Sequence, residues 1–415
     1  MAPIKAKQTA VAVAVVGGGP VGLATALLLA RLGVETTAIF PAVGPTTDRR
    51  TAALFAGSIQ LLRNLGLWSA LEPRCAPMQG IRLIDGRGGL LRAPETLFKA
   101  ADLDLDAFGF NVPNAVLVDA LTTAAVGEPR LSIVAGAVSG FEPRSDGVAL
   151  HLLDGRSVAA SIVVGADGRQ SPTRGAAGIA TRAWDYPQAV VVTVVQHQRP
   201  HHGISTEFHR ANGPLTTVPM PGRASSLVWV ESREEATRLS ALDDGAFAGE
   251  LEERLSGLLG SVDEVGPRGM FPLSGLSAEA LGSGRFALVG EAGHVMPPIG
   301  AQGLNLGLRD AAALAECVAE GRAEGAPSNE IVARYARQRA PDVASRIGAI
   351  DMLNRSLLTG FLPTHLLRGL GIYALGAIPP LRRAVVREGL QPALATPKAM
   401  QQGGLAAINN LSTPA

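Results

Sequence analysis

Apolar residues in this chain fall into long continuous runs near both ends and shorter, turn-separated runs in the middle. Val11 to Val16, Ile162 to Val164 and Phe286 to Val289 are continuous and rich in aliphatic side chains, the pattern of parallel strands buried on both faces. Gly17, Gly165 and Gly290 follow them directly. Helices are read at Val21 to Leu32, closed by Gly33, at the amphipathic stretch Ser58 to Leu67, at Ala115 to Ala125, and from about Leu304 onward. Val34 to Phe40 completes a strand–helix–strand unit at the start. In the middle of the chain, Ile81 to Asp85 and Leu90 to Leu91 read as a hairpin around Asp85-Gly86-Arg87-Gly88-Gly89. Val190 to Gln196, Ser205 to His209, Leu215 to Met220 and Ser226 to Glu231 read as antiparallel strands, with turns at Asn212-Gly213 and Pro221-Gly222. Asp243 to Gly260 is predicted as a helix with Asp243 or Asp244 as N-cap.

Composition narrows this picture. At 415 residues, 47% apolar and 18% charged, the chain can fill two ordinary domains or one α/β domain with an inserted sheet, and wholesale disorder is excluded. A formal charge of +1 offers nothing for bulk attraction to nucleic acid. Cys75 and Cys317 are too few for a disulfide framework or a metal cluster and fit a reducing compartment. No cleavage pattern follows the lysines before Val11, so no signal peptide is read. No run of about 18 apolar residues predicts a spanning helix.

Candidate chemistry begins at Gly17-Gly18-Gly19-Pro20-Val21-Gly22. The G-x-G-x-x-G spacing between a strand and a helix is that of a dinucleotide site. Gly17 permits the tight turn, Gly19 lets the backbone approach a pyrophosphate, and Gly22 lets helix and strand pack closely. The acidic residue that binds the ribose should end the second strand, where Phe40-Pro41-Ala42 stands instead. Glu35, at the strand's beginning, is expected to face away, leaving the ribose to backbone or to a side chain from Thr46 to Arg50. Near the other end, Gly290-Glu291 follows a buried strand, and a Pro-Pro-x-Gly-x-Gln-Gly loop (Pro297 to Gly303) leads into a helix. Such a loop presents N–H groups and a helix N-terminus to negative charge, and Gly300, Gly303 and Gly307 would let a flat ring lie on the backbone. In the middle, Gly165-Ala166-Asp167-Gly168, with Ser171 and Arg174 after it, puts a carboxylate at a strand's carboxyl end, where open α/β sheets bind ligands. Arg174 could pair with a phosphate or hold Asp167 in place.

These segments, with Arg50-Thr51-Ala52-Ala53-Leu54 and Phe108-Gly109-Phe110-Asn111-Val112-Pro113-Asn114, occur in the order found in the class A flavoprotein aromatic hydroxylases. The resemblance spans about residues 10–390 and is strongest to the ubiquinone-biosynthesis hydroxylases. That family has Gly-Asp where this chain has Gly290-Glu291, which keeps the charge and adds a methylene. The resemblance implies a Rossmann-like FAD-binding domain with an antiparallel-sheet substrate domain and a helical C-terminal tail. It implies FAD contacts at Gly17, Gly19, Pro20, Val21, Gly22, Arg50, Asn114, Asp167, Gly168, Gly290, Glu291, Pro298, Gly300, Gln302, Gly303, Leu304 and Asn305. Asn114 could instead cap its helix. It also implies reduction of FAD by NAD(P)H, and use of O2 to hydroxylate a polyprenylated phenol in ubiquinone biosynthesis. The alternatives are a hydroxylase for another aromatic compound, or a non-catalytic scaffold with this fold in a biosynthetic complex.

Domain expectations follow. Residues 10–80, 100–180 and 280–345 would form the FAD domain, 81–99 and 181–279 the substrate sheet, 346–390 the tail, and 391–415 a flexible end. No dedicated base is identifiable; His294 and Pro298 are expected near the flavin, with a structural hydrogen bond for His294. His197, His201, His202 and His209 lack convincing ligand spacing, so no metal site is expected. No Gly-x-Ser-x-Gly elbow supports hydrolase chemistry. Residues 357–375 carry an apolar face (Leu357, Phe361, Leu366, Leu370 and Tyr373 among others) flanked by Arg355, Arg368, Arg382, Arg383 and Arg387. Such a stretch can lie in a membrane interface or pack on protein. The expected location is cytoplasmic, with peripheral contact at the inner membrane or with a ubiquinone-biosynthesis complex as the tail's contribution.

Overall fold

The computed structural model describes residues 9–41, 48, 50–86, 95–358 and 396–412. An eight-stranded sheet is its centre. Strands Phe286–Leu288, Ser157–Gly165, Thr9–Val16, Thr36–Phe40 and Leu131–Ala135 lie side by side in that order, all parallel. Val16 is level with both Gly165 and Ile39. The three glycine-bearing segments therefore leave the carboxyl edges of three adjacent strands, the edge at which open α/β sheets collect ligands. Val138–Pro143 and Val148–Leu152 extend the sheet antiparallel beside Ser157–Gly165. The sequence did not single these strands out.

Both faces of this sheet are covered. Val13 and Val15 point toward helix Pro20–Arg31 and the 22-residue helix Gln302–Ala323, while Ala14 and Val16 point toward Val148, Leu150 and Phe286. Helix Pro20–Arg31 is buried from Gly22 to Ala30, which is why its sequence is apolar all round rather than striped.

A nine-stranded sheet stands beside the first. Its order runs from His294–Val295 through Gly269–Ala278, the 17-residue strand Thr181–His197, Ala224–Ser232, Gly213–Met220, Ile204–Arg210 and Gly80–Asp85 to Thr96–Lys99, with Val262–Val265 paired beside one end of Thr181–His197. Pairing is antiparallel except between Ile204–Arg210 and Gly80–Asp85. Its outer face (Val191, Phe208, Leu215, Leu227, Trp229) is roofed by helices Arg233–Ala241 and Asp244–Arg254 through Leu239, Phe247 and Leu251. Asp243 caps the latter helix by accepting from the Ala246 N–H, and this helix stops at Arg254, short of the expected Gly260. The inner face turns toward the first sheet. Thr51 donates to Ser226 Oγ at 2.8 Å, and Val218 packs on the cluster of Ala53, Phe55 and Met78, as does Ala301. A three-stranded sheet of Thr51–Phe55, Gly109–Pro113 and Ala76–Met78 joins the two bodies.

Several expectations are corrected. The antiparallel partner of Gly80–Asp85 is Thr96–Lys99; Leu90 and Leu91, the expected partner, lie outside the described residues. The boundary expected at 345/346 falls inside one 31-residue helix, Ser328–Leu358, which carries Pro341 within it. Its end docks on the substrate sheet. Tyr186 donates to Asp351 at 2.6 Å, Trp184 donates to the Tyr186 hydroxyl, and Asn354 donates to Gln188. Residues 396–412, within the end expected to be flexible, are packed against the first domain. They pack through Met400 and Ile408, both fully buried, and Asn64 donates to the carbonyls of Ala399 and Gln401. Most of the apolar stretch 357–375 lies outside the described residues. No helix among the described residues is long and apolar enough to cross a membrane.

Candidate active site

Two glycine loops meet around one valine. Val21, in the first turn of helix Pro20–Arg31, is wedged between Gly290 and Gly307. A β-carbon on Gly307 would lie 2.7 Å from Val21 Cγ2 and 3.2 Å from Gly290 Cα. The remaining glycines sort by what surrounds them. A β-carbon on Gly17 would sit 2.1 Å from the Ala166 carbonyl oxygen, and one on Gly22 would sit 2.2 Å from that of Gly17. These two are required by the protein's own packing. Around Gly19, Gly168, Gly300 and Gly303 a β-carbon would meet nothing within 4 Å. Gly19, Gly300 and Gly303 are exposed as well, so this strip of bare backbone faces open space.

Both helices that open onto the strip lack a capping side chain. Gly19 precedes the first and Ala301 precedes the second, with Gly300 and Ala301 in the left-handed region (φ 64° and 52°). The N–H groups of a first helical turn have no intrahelical partner. Here they add a partial positive charge at each end of the strip. Bare backbone, uncapped helix starts and a groove between three strand ends suit an extended ligand with a central anionic group and a flat ring. FAD has that chemistry, so the residues present fit it.

The predicted site residues divide accordingly. Gly17, Gly19, Pro20, Val21 and Gly22 form one end of the strip, and Gly290, Glu291, Pro298, Gly300, Gln302, Gly303 and Leu304 the other. Glu291 and Pro298 are exposed. Asn305 is different: its side chain turns inward. It accepts from the Phe55 N–H at 2.9 Å and Ser58 Oγ at 2.8 Å, and donates to the carbonyls of Ala53 and Ala301. With all four bonds made inside the protein, its amide is a bracket and not a ligand group.

Asn114 does not cap its helix. Pro113 occupies the N-cap position, and Asn114, first in the helix, donates to Asp48 at 3.0 Å. Asp48 also receives the backbone and guanidinium N–H groups of Arg50. Burial pushes the Asp48 carboxyl up, but the bonds from Arg50 and Asn114 outweigh it and hold it low. Arg50 is about half exposed and stands 5.4 Å over the Phe271 ring. Its charge is reinforced chiefly by Asp48, and also by Glu291. Arg50 therefore stands between the open strip and the inner face of the substrate sheet. Asp48, the residue that positions it, had no sequence signal beyond lying two residues away.

Asp167 serves its own loop. It accepts from the Ser171 hydroxyl and from the Thr173 N–H at 2.9 Å. Arg174 contacts neither Asp167 nor an open groove: it donates to the carbonyls of Ala292 and Arg169 at 2.8 and 2.9 Å. It thereby ties the Asp-Gly loop to the Glu291 loop, a bond between carboxyl edges that spacing alone could not reveal. Phe40, in the position of the missing ribose acid, leans on Gly18, whose β-carbon would lie 2.6 Å from the ring. Glu35 is exposed and paired with Arg130 at 3.2 Å, away from the strip.

His294 is removed from the list of groups at the ring. It is buried and its Nε2 lies 2.6 Å from Asp310. Asp310 also accepts from the Gly290 N–H at 3.1 Å and from Arg339 Nε at 2.8 Å. Asp342 continues this buried cluster with Arg309 and Arg339. The cluster clamps the Gly290 turn from behind, with four of its members, Arg309, Asp310, Arg339 and Asp342, drawn from residues 309–342. Among the other histidines, His197 bonds Arg199 and Ser225, His201 bonds the Met220 carbonyl, and His209 bonds Glu207. Among the described residues no group of three metal-ligating side chains converges.

The chain is similar to known proteins over most of its length. A family model described as an FAD binding domain matches residues 10–347. The chain is 36% identical over 388 residues to ubiquinone hydroxylase UbiL of Rhodospirillum rubrum, covering 91% of this chain and 89% of that protein. It is 30% identical over 388 residues to 3-demethoxyubiquinol 3-hydroxylase of Escherichia coli, covering 91% and 98%. Among solved structures, p-nitrophenol 4-monooxygenase PnpA of Pseudomonas putida superposes with a TM-score of 0.77 at 22% identity, over 92% of this chain and 98% of that one. That likeness speaks to the fold alone.

Proposed function

The chain belongs to the FAD binding domain family of class A flavoprotein monooxygenases, and from that premise we propose that it hydroxylates the aromatic ring of a polyprenylated phenol in ubiquinone biosynthesis. The observation that carries the reading is the open glycine strip beside an apolar sheet face, in a chain whose relatives are named ubiquinone hydroxylases. The chemistry supplied by bound FAD is reduction by NAD(P)H and activation of O2 for hydroxyl transfer to an electron-rich aromatic carbon.

The protein's own contribution is binding, dryness and charge. Gly17 to Gly22 offer a turn and a helix start to the pyrophosphate. Glu291 would offer a carboxylate to the ribityl hydroxyls, and the N–H groups of Gln302, Gly303 and Leu304 would stabilise negative charge at the ring. Pro297 and Pro298 stiffen the wall that keeps water out. Facing them, Val192, Val228 and Val218 of the inner sheet face supply an apolar floor for a ring with a hydrocarbon tail. Asp167 and Gly168 shape the loop beside the strip.

Purified protein should carry non-covalent flavin, released as FAD on denaturation. Product analysis in a ubiquinone-deficient strain then tests the substrate: accumulation of the unhydroxylated precursor, despite flavin-loaded protein, would remove the ubiquinone assignment. The stretch 357–375 with its flanking arginines adds peripheral contact with an anionic inner-membrane surface to the proposal. Liposome flotation of the intact chain should be lost in a Leu366→Ser, Leu367→Ser, Leu370→Ser variant; flotation by neither form would overturn the membrane contact.

A further inference from the structure

The apolar floor carries one acidic spot. Strand Ile204–Arg210 alternates, with Phe208 on the outer face beneath the roofing helices, so Ser205, Glu207 and His209 stand on the inner face. Register places Glu207 opposite Thr216, and Thr216 opposite Val228, which is opposite Val192. Leu83 flanks Glu207 on its other side, so Glu207 is the one charged side chain in a row of uncharged ones. It sits diagonally across from Val218, a separation of about 7–8 Å on adjacent strands, and Val218 packs on the cluster of Ala53, Phe55 and Met78 that also takes Ala301, at the start of the glycine-rich helix. Glu207 thus shares the inner face with the apolar floor, two residues along the register from the side chain that meets the same cluster as the glycine-rich helix.

Glu207 is paired within its own strand. His209 Nε2 lies 2.6 Å from Glu207 Oε1, with side-chain exposures of 9% and 18%. One carboxylate oxygen is held by the imidazole, which leaves the other for a proton. The adjoining strands bring one further titratable side chain to the same face, Asp85, which is opposite His209. Arg82 lies on the other face, paired with Glu95 at 3.2 Å. Strand Gly213–Met220 carries no titratable side chain. Asp102, Asp104 and Asp106, on the segment near Leu83, are exposed to solvent.

We infer that Glu207, oriented by His209, is the proton acceptor for the substrate's phenol group; this rests on the hydroxylase reading above. The phenol O–H gives its proton to the free Glu207 oxygen, and the electron pair left on the phenol oxygen enriches the ring carbon that receives hydroxyl. When that carbon loses its hydrogen to water and aromaticity returns, the Glu207 carboxyl gives its proton back to the same oxygen. A carboxylate with a histidine partner at the edge of a dry floor suits this general-base role. His209 is a positioning residue.

The test uses full-length, FAD-loaded protein and a phenol with a short prenyl chain, following hydroxylated product against NAD(P)H consumed. Glu207→Gln is expected to lower product formation at neutral pH by roughly 100-fold, a typical general-base contribution, while FAD content is kept and NAD(P)H oxidation runs uncoupled from product. Raising the pH toward the phenol's own ionisation, near 10 for a tyrosine-like phenol, should restore most of the loss. A loss that is equal at all pH values, or no loss, overturns the inference. Should this variant fail to fold, His209→Phe serves instead. Removing the donor to the carboxylate should move the acid limb of the pH profile upward, and an unmoved limb is equally fatal. Wild-type protein that binds FAD but never hydroxylates the phenol would overturn the parent reading and this one together. Wild-type turnover undiminished in Glu207→Gln overturns this one only.

Discussion

Gly17, Gly19 and Gly22 obey one motif for two different physical reasons. Gly17 and Gly22 have protein backbone where a side chain would go, and Gly19 has open space. Gly22→Ala is expected to destabilise the fold by about 1–3 kcal/mol through overpacking. Gly19→Ala should leave stability within about 0.5 kcal/mol and still weaken FAD binding tenfold or more. Thermal unfolding beside a flavin-fluorescence titration separates the two, and equal destabilisation would mean that the space beside Gly19 is not a ligand site. Asp310 is the other residue whose role is decided by surroundings. Burial, the largest influence, pushes its carboxyl up, and the charges and hydrogen bonds of His294 and Arg339 outweigh that and hold it low. Arg309 and Arg339 hold Asp342 low in the same way against its burial. A carboxyl whose folded pKa is depressed contributes stability above its unfolded value, near 4, and loses it as pH falls through the folded value. Asp310→Asn should therefore cost about 3–5 kcal/mol at neutral pH by taking the anionic partner from the buried Arg339 Nε and from His294. It should also flatten the acid side of the stability–pH curve, measured by denaturation from pH 7 downward. An unchanged slope would show that Asp310 does not carry the acid sensitivity.

At the scale of elements, the helix Gln302–Ala323 is the piece on which the proposed site depends. Its first turn is left uncapped, and Asn305 fastens that turn to strand Thr51–Phe55 by bonds in both directions. Asn305→Ala would strand the buried Phe55 N–H and the Ala53 carbonyl. At about 1–3 kcal/mol for an unsatisfied buried group, a loss of about 2–4 kcal/mol is expected. FAD should be lost in parallel, because Arg50 is carried on the approach to the same strand. A variant that keeps full FAD affinity and melts normally would show that the bracket is dispensable. The start of this helix was legible from the glycines and Gln302, since they are local signals. The bracket was not, because Asn305 and Ala53 are 252 residues apart and an asparagine in a first turn reads equally well as a ligand.

On the scale of the whole molecule, distant segments close over the first domain. Helix Ser328–Leu358 reaches from the flavin-side sheet, where Tyr335 donates to the Leu288 carbonyl, to the substrate sheet, where Asp351 accepts from Tyr186. Residues 396–412 return to helices Ala56–Asn64 and Gln302–Ala323. The Ala399 N–H donates to Glu316, and Lys398 pairs with Glu320 at 2.7 Å. Burial, the main influence, pushes the Glu316 carboxyl up, so this contact sits in a dry seam. Met400→Ala is expected to cost about 2–4 kcal/mol by opening a cavity there, readable as a drop in the unfolding midpoint. Unchanged stability would mean that the segment is merely laid on the surface.

Sequence alone determined what depends on neighbours along the chain. A buried strand followed by glycines and a helix start is a local pattern, and the three loops were recognisable from their flanking elements and their order along the chain taken together. Their family resemblance supplied the cofactor. Tertiary structure decided which polar groups remain free at those loops. Asn305, Arg174, Asp167 and His294 are the residue types that bind ligands, yet here they are committed to Ala53, Ala292, Thr173 and Asp310. Their partners lie up to 252 residues away and leave no trace in spacing. The same holds for Glu207, which reads as an ordinary strand carboxylate until sheet register turns it onto the inner face. A side chain's identity is written in the sequence, but its unspent hydrogen-bonding capacity is a property of what the fold brings next to it.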